Sequence, residues 1–336
     1  MTNIRQVADL AGVSVATVSR TLKTPDIVSP ETRERVLKAV EQAGYRPNLT
    51  AVQFRSQRTR NLVVLVPTVA NTFFARVIAG IQEAASRSGY SVLLCNTLGD
   101  ESVERDYAAM VTNRQADGLI QLRAFYPFDA SGSDPLPMVN ACEVLDEAPC
   151  PRVQLNNREA SRVLTEHLIQ LGHRRIGMIK GPRQSPLTRD RLHGYQEALQ
   201  DAGIAPDEEL LCPGDFTLAS GYRAAATLLE RHDAPTAIFC ENDEMAIGAI
   251  QRLKEAGLKI PDDISVAGFD DIAFARYCDP PLTTISQPAE DFGREAVALL
   301  LGLIEGQAVK RNARRIMPFE LVVRNSTGPV PTILMT

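Results

Sequence analysis

From residue 62 onward, short and continuously apolar runs alternate with longer stretches of helical periodicity. The segments NLVVLVP, YSVLLCN and DGLIQL read as strands, separated by helices over FFARVIAGIQEAASRSG and roughly 101–115. The pattern then restarts, with helices at 158–171, 189–202, 217–231 and 243–256 around the strands IGMIKG, TAIFC and SVAGFD, and LVVR reads as the last strand. Such alternation restricts the chain to parallel sheets wrapped by helices, and two cycles imply two similar α/β lobes in sequence. Ligands in sheets of this kind bind beyond the carboxyl ends of the strands, so the place to look is where the lobes face each other.

The first 60 residues obey a different pattern. Ile4, Val7 and Ala8 form one apolar stripe, Gly12 ends that helix, and Ser14 is placed to cap a second with the stripe Val15, Val18 and Leu22. Two short helices joined by a glycine-containing turn form the motif whose second helix enters the major groove of DNA. A third helix follows. Ser29 is its expected cap, Pro30 and Glu31 suit its first turn, Val36, Leu37, Val40 and Ala43 supply its core face, and Gly44 closes it. Residues 45–61, with four arginines and no acid, read as a hinge.

Charge separates a DNA-reading head from a helical hairpin that only packs. Residues 1–60 hold ten Lys/Arg against five Asp/Glu, a formal +5, whereas the whole chain is −5, so the remainder carries −10. A basic head on an acidic body favours a local nucleic-acid contact. The chain's 336 residues suggest two or three domains. No apolar run approaches the length of a membrane span. MTNIRQVADL has neither the charged start nor the apolar centre of a secretory signal, so a cytoplasmic protein without membrane partners is expected. The six scattered cysteines read as reduced thiols, and no metal site or cofactor is expected.

More specific segments narrow the reading. VADLAGVSVATVSRTL and SPETRERVLKAVEQAGYRPN in the head, then LGHRRIGMIKGP, RLHGYQEAL, FCENDEMAIGAI, ISVAGFDD and PPLTTISQP in the body, follow one order and spacing. On these the chain resembles the lactose-repressor/galactose-repressor family of bacterial transcription regulators over nearly its whole length. YPFDAS, GPRQSPLTRDRLHGY, GDFT and YCDPPLTTISQP look like its cytidine-repressor branch, whose members answer to nucleosides. The resemblance implies an α/β chain with a helix-turn-helix head (1–46), a hinge helix (47–61) and a two-lobed body like a periplasmic binding protein. One lobe is expected over 62–157 with 288–318, the other over 158–287 with 319–336.

It also implies roles. Val15 and Ala16 choose operator sequence, apolar side chains that can touch a thymine methyl; Arg20 is the candidate for guanine O6 and N7. Asn3, Thr17 and Ser19 are expected on phosphates, although Thr17 and Ser19 could be ordinary helix surface. Asn48, Ala51 and Arg55 belong to the DNA-binding hinge. Phe54 stands where most members have a leucine wedge in the minor groove, or it packs on its own body or partner hinge. Between the lobes, Phe73 or Phe74 and, opposite, Phe216 wall the effector pocket. Arg191 and Asp270 hold ligand hydroxyls, and Asn242 and Gln287 add polar contacts. The residues alone also allow Asp270 as a turn cap, Arg191 in a surface ion pair and Phe216 in the core. Where sugar- and purine-binding relatives carry a pocket Asp, this chain has Cys142 or Glu143, and Asn156 stands where many members have Asp.

The expected function is a transcriptional regulator, a repressor, binding a near-palindromic operator as a homodimer under control of a small molecule. A nucleoside is the expected effector, with ribose or another sugar as the alternative. A nucleotide-using enzyme would need a phosphate loop, and neither G-x-G-x-x-G nor G-x-x-x-x-G-K-[ST] occurs. No nucleophile and base constellation points to catalytic residues. A transport-type binding protein would lack the basic head.

Overall fold

The structure, a computed structural model, describes residues 3–45, 58–128, 136–147 and 149–331. The chain divides into two compact units, Met1–Thr59 and Arg60–Thr336.

In the first unit, α1 (Ile4–Ala11), α2 (Val15–Lys23) and α3 (Pro30–Gln42) close around buried Val7, Ala8, Ala11, Val18, Val36 and Ala39. Asn3 and Gln6 form a reciprocal capping box at the start of α1. Gly12 takes the left-handed conformation (φ 63°) that turns the chain, and Ser14 accepts the Thr17 N–H at 3.1 Å to start α2. Three local expectations are corrected. Ser29 sits at the N-cap position of α3, but its hydroxyl donates to Thr32 Oγ1 instead of accepting a backbone N–H. Leu37 lies outside the core face, 49% exposed, because α3 docks through Val36, Ala39, Val40 and Ala43. Val15 is 39% exposed, so the packed face of α2 is Val18 with Thr21 and Leu22.

The second unit alternates as expected: β1 (Asn61–Val66), α4 (Thr72–Arg87), β2 (Ser91–Asn96), α5 (Glu101–Thr112), β3 (Gly118–Gln121), β4 (Met138–Ala141) and β5 (Arg152–Leu155). Then follow α6 (Asn157–Gln170), β6 (Ile176–Lys180), α7 (Pro186–Asp201), β7 (Leu211–Pro213), α8 (Leu218–Leu229), β8 (Ala237–Cys240), α9 (Asp243–Glu255), β9 (Ser265–Asp270) and β10 (Thr283–Ser286). The chain closes with α10 (Ala289–Ile304), β11 (Arg314–Met317) and β12 (Glu320–Val322). One sheet has the order β11-β5-β4-β3-β1-β2 and the other β12-β10-β9-β8-β6-β7. All pairs are parallel except β10–β12. Their central strands are buried apolar runs, as a sheet covered on both faces requires.

Helices cover both sheets, and glycine sets the closest approach. A Cβ on Gly80 of α4 would lie 2.0 Å from the Glu290 carbonyl oxygen, and one on Gly293 of α10 would lie 2.3 Å from that of Val77. Only glycine lets these two helices touch backbone to backbone. β10 belongs to one sheet, while α10 packs beside α4 and leads to β11 in the other, so the chain passes between the two sheets near their facing ends.

Candidate functional site

The outward surface of α2 carries Val15, Ala16 and Arg20 exposed, with Thr17 and Ser19 half-buried beside them. The side-chain oxygen of Asn3 is committed to the α1 cap, and the Thr17 hydroxyl meets Ser14 Oγ at 2.9 Å. Arg20 therefore offers the long polar side chain of this surface. The hinge positions Asn48, Ala51, Phe54 and Arg55 lie outside the described residues.

In the second unit a cavity of about 530 Å³ opens where both sheets end. One wall takes Thr68, Gly99, Ala124, Cys142 and Leu155 from just beyond β1 to β4 and the end of β5. The other takes Pro182, Phe216, Asn242 and Gln287 from beyond β6, β7, β8 and β10, with Asp270 at the end of β9. Phe73, Phe74, Arg191, Phe216, Asn242, Asp270 and Gln287, from six separate points of the sequence, all line this one cavity.

Its polar centre is buried. Gln287 Nε2 donates to Asp270 Oδ1 at 2.6 Å, and Arg191 Nη2 stands 3.9 Å from the same oxygen. Arg191 is 3% exposed, which removes the surface ion pair as its role. Its guanidinium lies 3.7 Å over the Phe269 ring, donates through Nε to Asn157 Oδ1 (3.0 Å) and through Nη1 to the Glu241 carbonyl. Burial lowers the Arg191 pKa, with Asp270 and Glu241 opposing. Burial also raises the Asp270 carboxyl to about 7, although Arg191 and Gln287 pull it down. Behind them Glu241, wholly buried, is raised to about 7 by burial while accepting Gly181 N–H and Thr188 Oγ1 at 2.9 Å each.

Aromatic rings close the apolar sides. Phe73 packs into the core against Phe292 (6.2 Å, 78°) and leaves Phe74 the more open ring. Opposite, Phe216 has a left-handed backbone (φ 66°), held where Asn242 Nδ2 donates to its carbonyl at 3.0 Å. Asn242 Oδ1 also caps α9 through Met245 N–H, so its amide is a support for Phe216 and α9. Gly181 lies under this ring: a Cβ there would be 2.2 Å from Phe216 Cζ. Cys142 (φ 67°) and Asp270 (φ 111°) share the left-handed conformation. These left-handed residues, none of them glycine, thus line one cavity, each held there by the structure around it.

The structure sorts the remaining residues around the cavity. Asn156 caps α6 by accepting Glu159 N–H, and its neighbour Asn157 is the one that reaches the cavity. Asn156 itself stands outside the cavity lining, its side-chain oxygen committed to the helix cap. Glu143 lines the cavity and accepts the Ser185 hydroxyl from the opposite wall. Buried Asn140 donates to the carbonyls of Gln121, Arg123 and Glu143, fixing that wall's rim. Arg123 is bidentate to buried Glu104 at 3.1 Å on both sides. Further bonds join the walls: Glu244 Oε1 accepts Thr72 N–H and Oγ1 (3.0 Å each), and Arg76 donates to the Asp271 carbonyl at 3.1 Å. Among the described residues, no group of three or more His, Cys, Asp or Glu side chains is set to hold a metal, and no helix is long and apolar enough to cross a membrane.

Comparison with known proteins fits both units. Residues 3–48 match the bacterial regulatory proteins of the lacI family, and residues 165–327 match a periplasmic binding protein-like domain. The chain is 41% identical over 331 residues to the HTH-type transcriptional repressor CytR of Escherichia coli K12, covering 98% of this chain and 97% of that one. It is 37% identical over 335 residues to the repressor PurR of Photobacterium profundum, covering 97% and 98%. In structure it resembles the lac repressor dimer bound to operator and the anti-inducer ONPF, with a TM-score of 0.87 at 31% identity, covering 97% and 99%. By its head, its paired sheets and these likenesses, the chain belongs to the lacI family of bacterial regulatory proteins: it is a DNA-binding transcriptional repressor and not an enzyme.

Proposed function

We propose that the repressor works in the cytoplasm as a homodimer on a near-palindromic operator, and that a nucleoside held in the cavity of its body sets its affinity for DNA. Two-fold symmetry matches paired half-sites. In this reading Val15 and Ala16 touch base edges, Arg20 donates to a guanine, and Asn3, Thr17 and Ser19 fix register on phosphates. The two sheets with their helices act as lobes, at the boundaries expected from sequence, and the Thr72–Glu244 and Arg76–Asp271 bonds hold one arrangement of them.

The observation that carries the ligand class is the buried cluster of Asp270, Gln287 and Arg191 between Phe74 and Phe216. A carboxylate accepts two hydroxyl protons, which suits a ribose diol beside Arg191, while the rings suit a flat base. Both arginines that line the cavity already have partners, Arg123 on Glu104 and Arg191 on Asn157, Glu241 and Asp270. An uncharged ligand therefore fits better than a nucleotide, whose phosphate would compete for them. The test is thermal unfolding of the full chain against cytidine, uridine, adenosine, inosine, ribose and a hexose panel. A ligand at a hundred times its Kd adds about 2.7 kcal/mol, a visible shift in Tm. A shift with a nucleoside and none with ribose supports the reading; a shift with ribose or a hexose alone contradicts it.

A further inference from the structure

In the sheet that contains β1 every pairing is parallel, so all its strands start at one end. β1 begins there directly after Arg60, where the chain arrives from the head. Backbone bonds tie the approaches to neighbouring strands into a rim, from Ser91 N–H on the Arg60 carbonyl to Arg152 N–H on that of Ala313. From β1 to β11 the rim crosses four strand spacings, about 19 Å, or roughly half a turn of B-form DNA.

This rim is cationic on an acidic body. Arg60 precedes β1, Arg114 lies in the turn before β3, Lys310 and Arg311 lie in the turn before β11, and Arg314 opens that strand; all are exposed. The acids of the same connections are Asp117 and Glu305, and Asp117 already accepts the Arg60 backbone N–H at 3.0 Å. Among the described residues, the side chains of Arg114, Lys310, Arg311 and Arg314 have no ion pair and no hydrogen bond. Arginines elsewhere on the body are met by several carboxylates, Arg162 by Glu159, Glu166 and Asp201, for example. Arg314 also stands in register with Arg152 across the β11–β5 pair, and like charges side by side on a sheet cost stability. β11 is the edge of its sheet, where charged side chains blunt pairing with another edge. That accounts for Arg314 and Arg315 on the strand, but not for Arg114, Lys310 and Arg311 in the turns.

We propose that this rim is a second DNA contact, whose cations bind the phosphates of duplex flanking the base pairs that α2 reads. Guanidinium and ammonium groups with no protein partner lose nothing when they pair with phosphate. Contacts of this kind add affinity and fix register without reading sequence. The acidic remainder of the body repels the duplex, which confines it to the end where the chain leads to the head.

The test is fluorescence anisotropy of the full chain on an operator duplex selected from random DNA with this protein. One form ends with the selected sequence, and the other carries about ten base pairs of unrelated sequence, roughly one turn, on each side. Affinity is read across a salt series for the unaltered chain and for Lys310→Gln, Arg311→Gln and Arg314→Gln combined. A control combining Lys254→Gln, Lys259→Gln and Arg276→Gln removes equal charge from exposed positions around the other sheet. The unaltered chain should bind the longer duplex about tenfold or more tightly at low salt, with a salt slope steeper by about 2 to 3, at about 0.9 per phosphate. The rim variant should lose both differences and the control should keep them. Equal affinity and slope for the two duplexes in the unaltered chain would overturn the proposal, as would differences that survive in the rim variant or vanish equally in the control. A rim variant that aggregates with its salt slope intact would leave these charges as edge protection alone. The comparison of duplex lengths uses the unaltered protein, so it decides the matter even if a variant does not fold.

Discussion

Asp270 carries the most consequences for a single side chain. Burial raises its carboxyl to about 7 in the fold, and ligand hydroxyls bond most strongly to its ionised form, whose two oxygens both accept. Nucleoside affinity should therefore rise between pH 6 and 8 and level off above, and Asp270→Asn should bind weakly with a flat profile; isothermal titration at several pH values checks both. The same shift has a cost for folding. Asp270 and Glu241 keep protons to about 7 when folded but release them near 4 when unfolded. The native state thus binds more protons between about pH 4 and 7, and the stabilising contribution of these two groups falls as pH rises through that window. Glu241→Gln should lessen the fall, read as melting temperature against pH. Beneath Phe216, Gly181→Ala would force the ring 2.2 Å from a new methyl carbon, so effector binding should drop while operator affinity holds; loss of both would mean a folding defect instead.

Among the elements, α2 and the α4–α10 pair make the clearest demands. Arg20→Ala should weaken specific operator binding by about 1–3 kcal/mol, measured against non-specific DNA at matched salt. Gly80→Ala should destabilise the body by about 1–3 kcal/mol in urea unfolding, since its methyl meets the Glu290 carbonyl. The head was legible because its helices carry local signals: Gly12 at the turn, Ser14 at the cap, Pro30 at a first turn. Local signals misled where tertiary docking decided, as at Leu37 and Val15, and where a competing local bond did, as at the Ser29 hydroxyl bonded to Thr32. In the body the continuously apolar strands and the helices stood out, whereas β5, β7 and β11 are three or four residues broken by Arg, Gln or Pro. Phe216 and Asp270 were legible through the family resemblance, and they meet in one cavity because an α/β sheet gathers its loops at one end. The Ser185–Glu143 bond could not, since its partners stand 42 residues apart in sequence. Nor could the place of Asn157 beside Arg191, which depends on where α6 begins.

For the whole molecule, the division of charge and the division of labour coincide, with a basic head of formal +5 and a body of −10. Phosphate contacts by such a head should make operator affinity fall with salt, by about 0.9 log unit per contact for each log unit of salt. Control by a ligand requires that the body have two arrangements and that the nucleoside prefer one, because a ligand shifts an equilibrium only by its differential affinity. The central claim is that the Asp270 cavity and the DNA-reading head are coupled. Fluorescence anisotropy of an operator duplex, selected from random DNA with this protein, measures it directly when titrated with and without cytidine for the unaltered chain and Asp270→Asn. The account predicts that cytidine changes operator affinity about tenfold or more in the unaltered chain, as a coupling of about 1.4 kcal/mol would, and leaves Asp270→Asn unchanged at the same cytidine-free affinity. An equal response in the variant, or none in either protein to any nucleoside that shifts its melting, would contradict it.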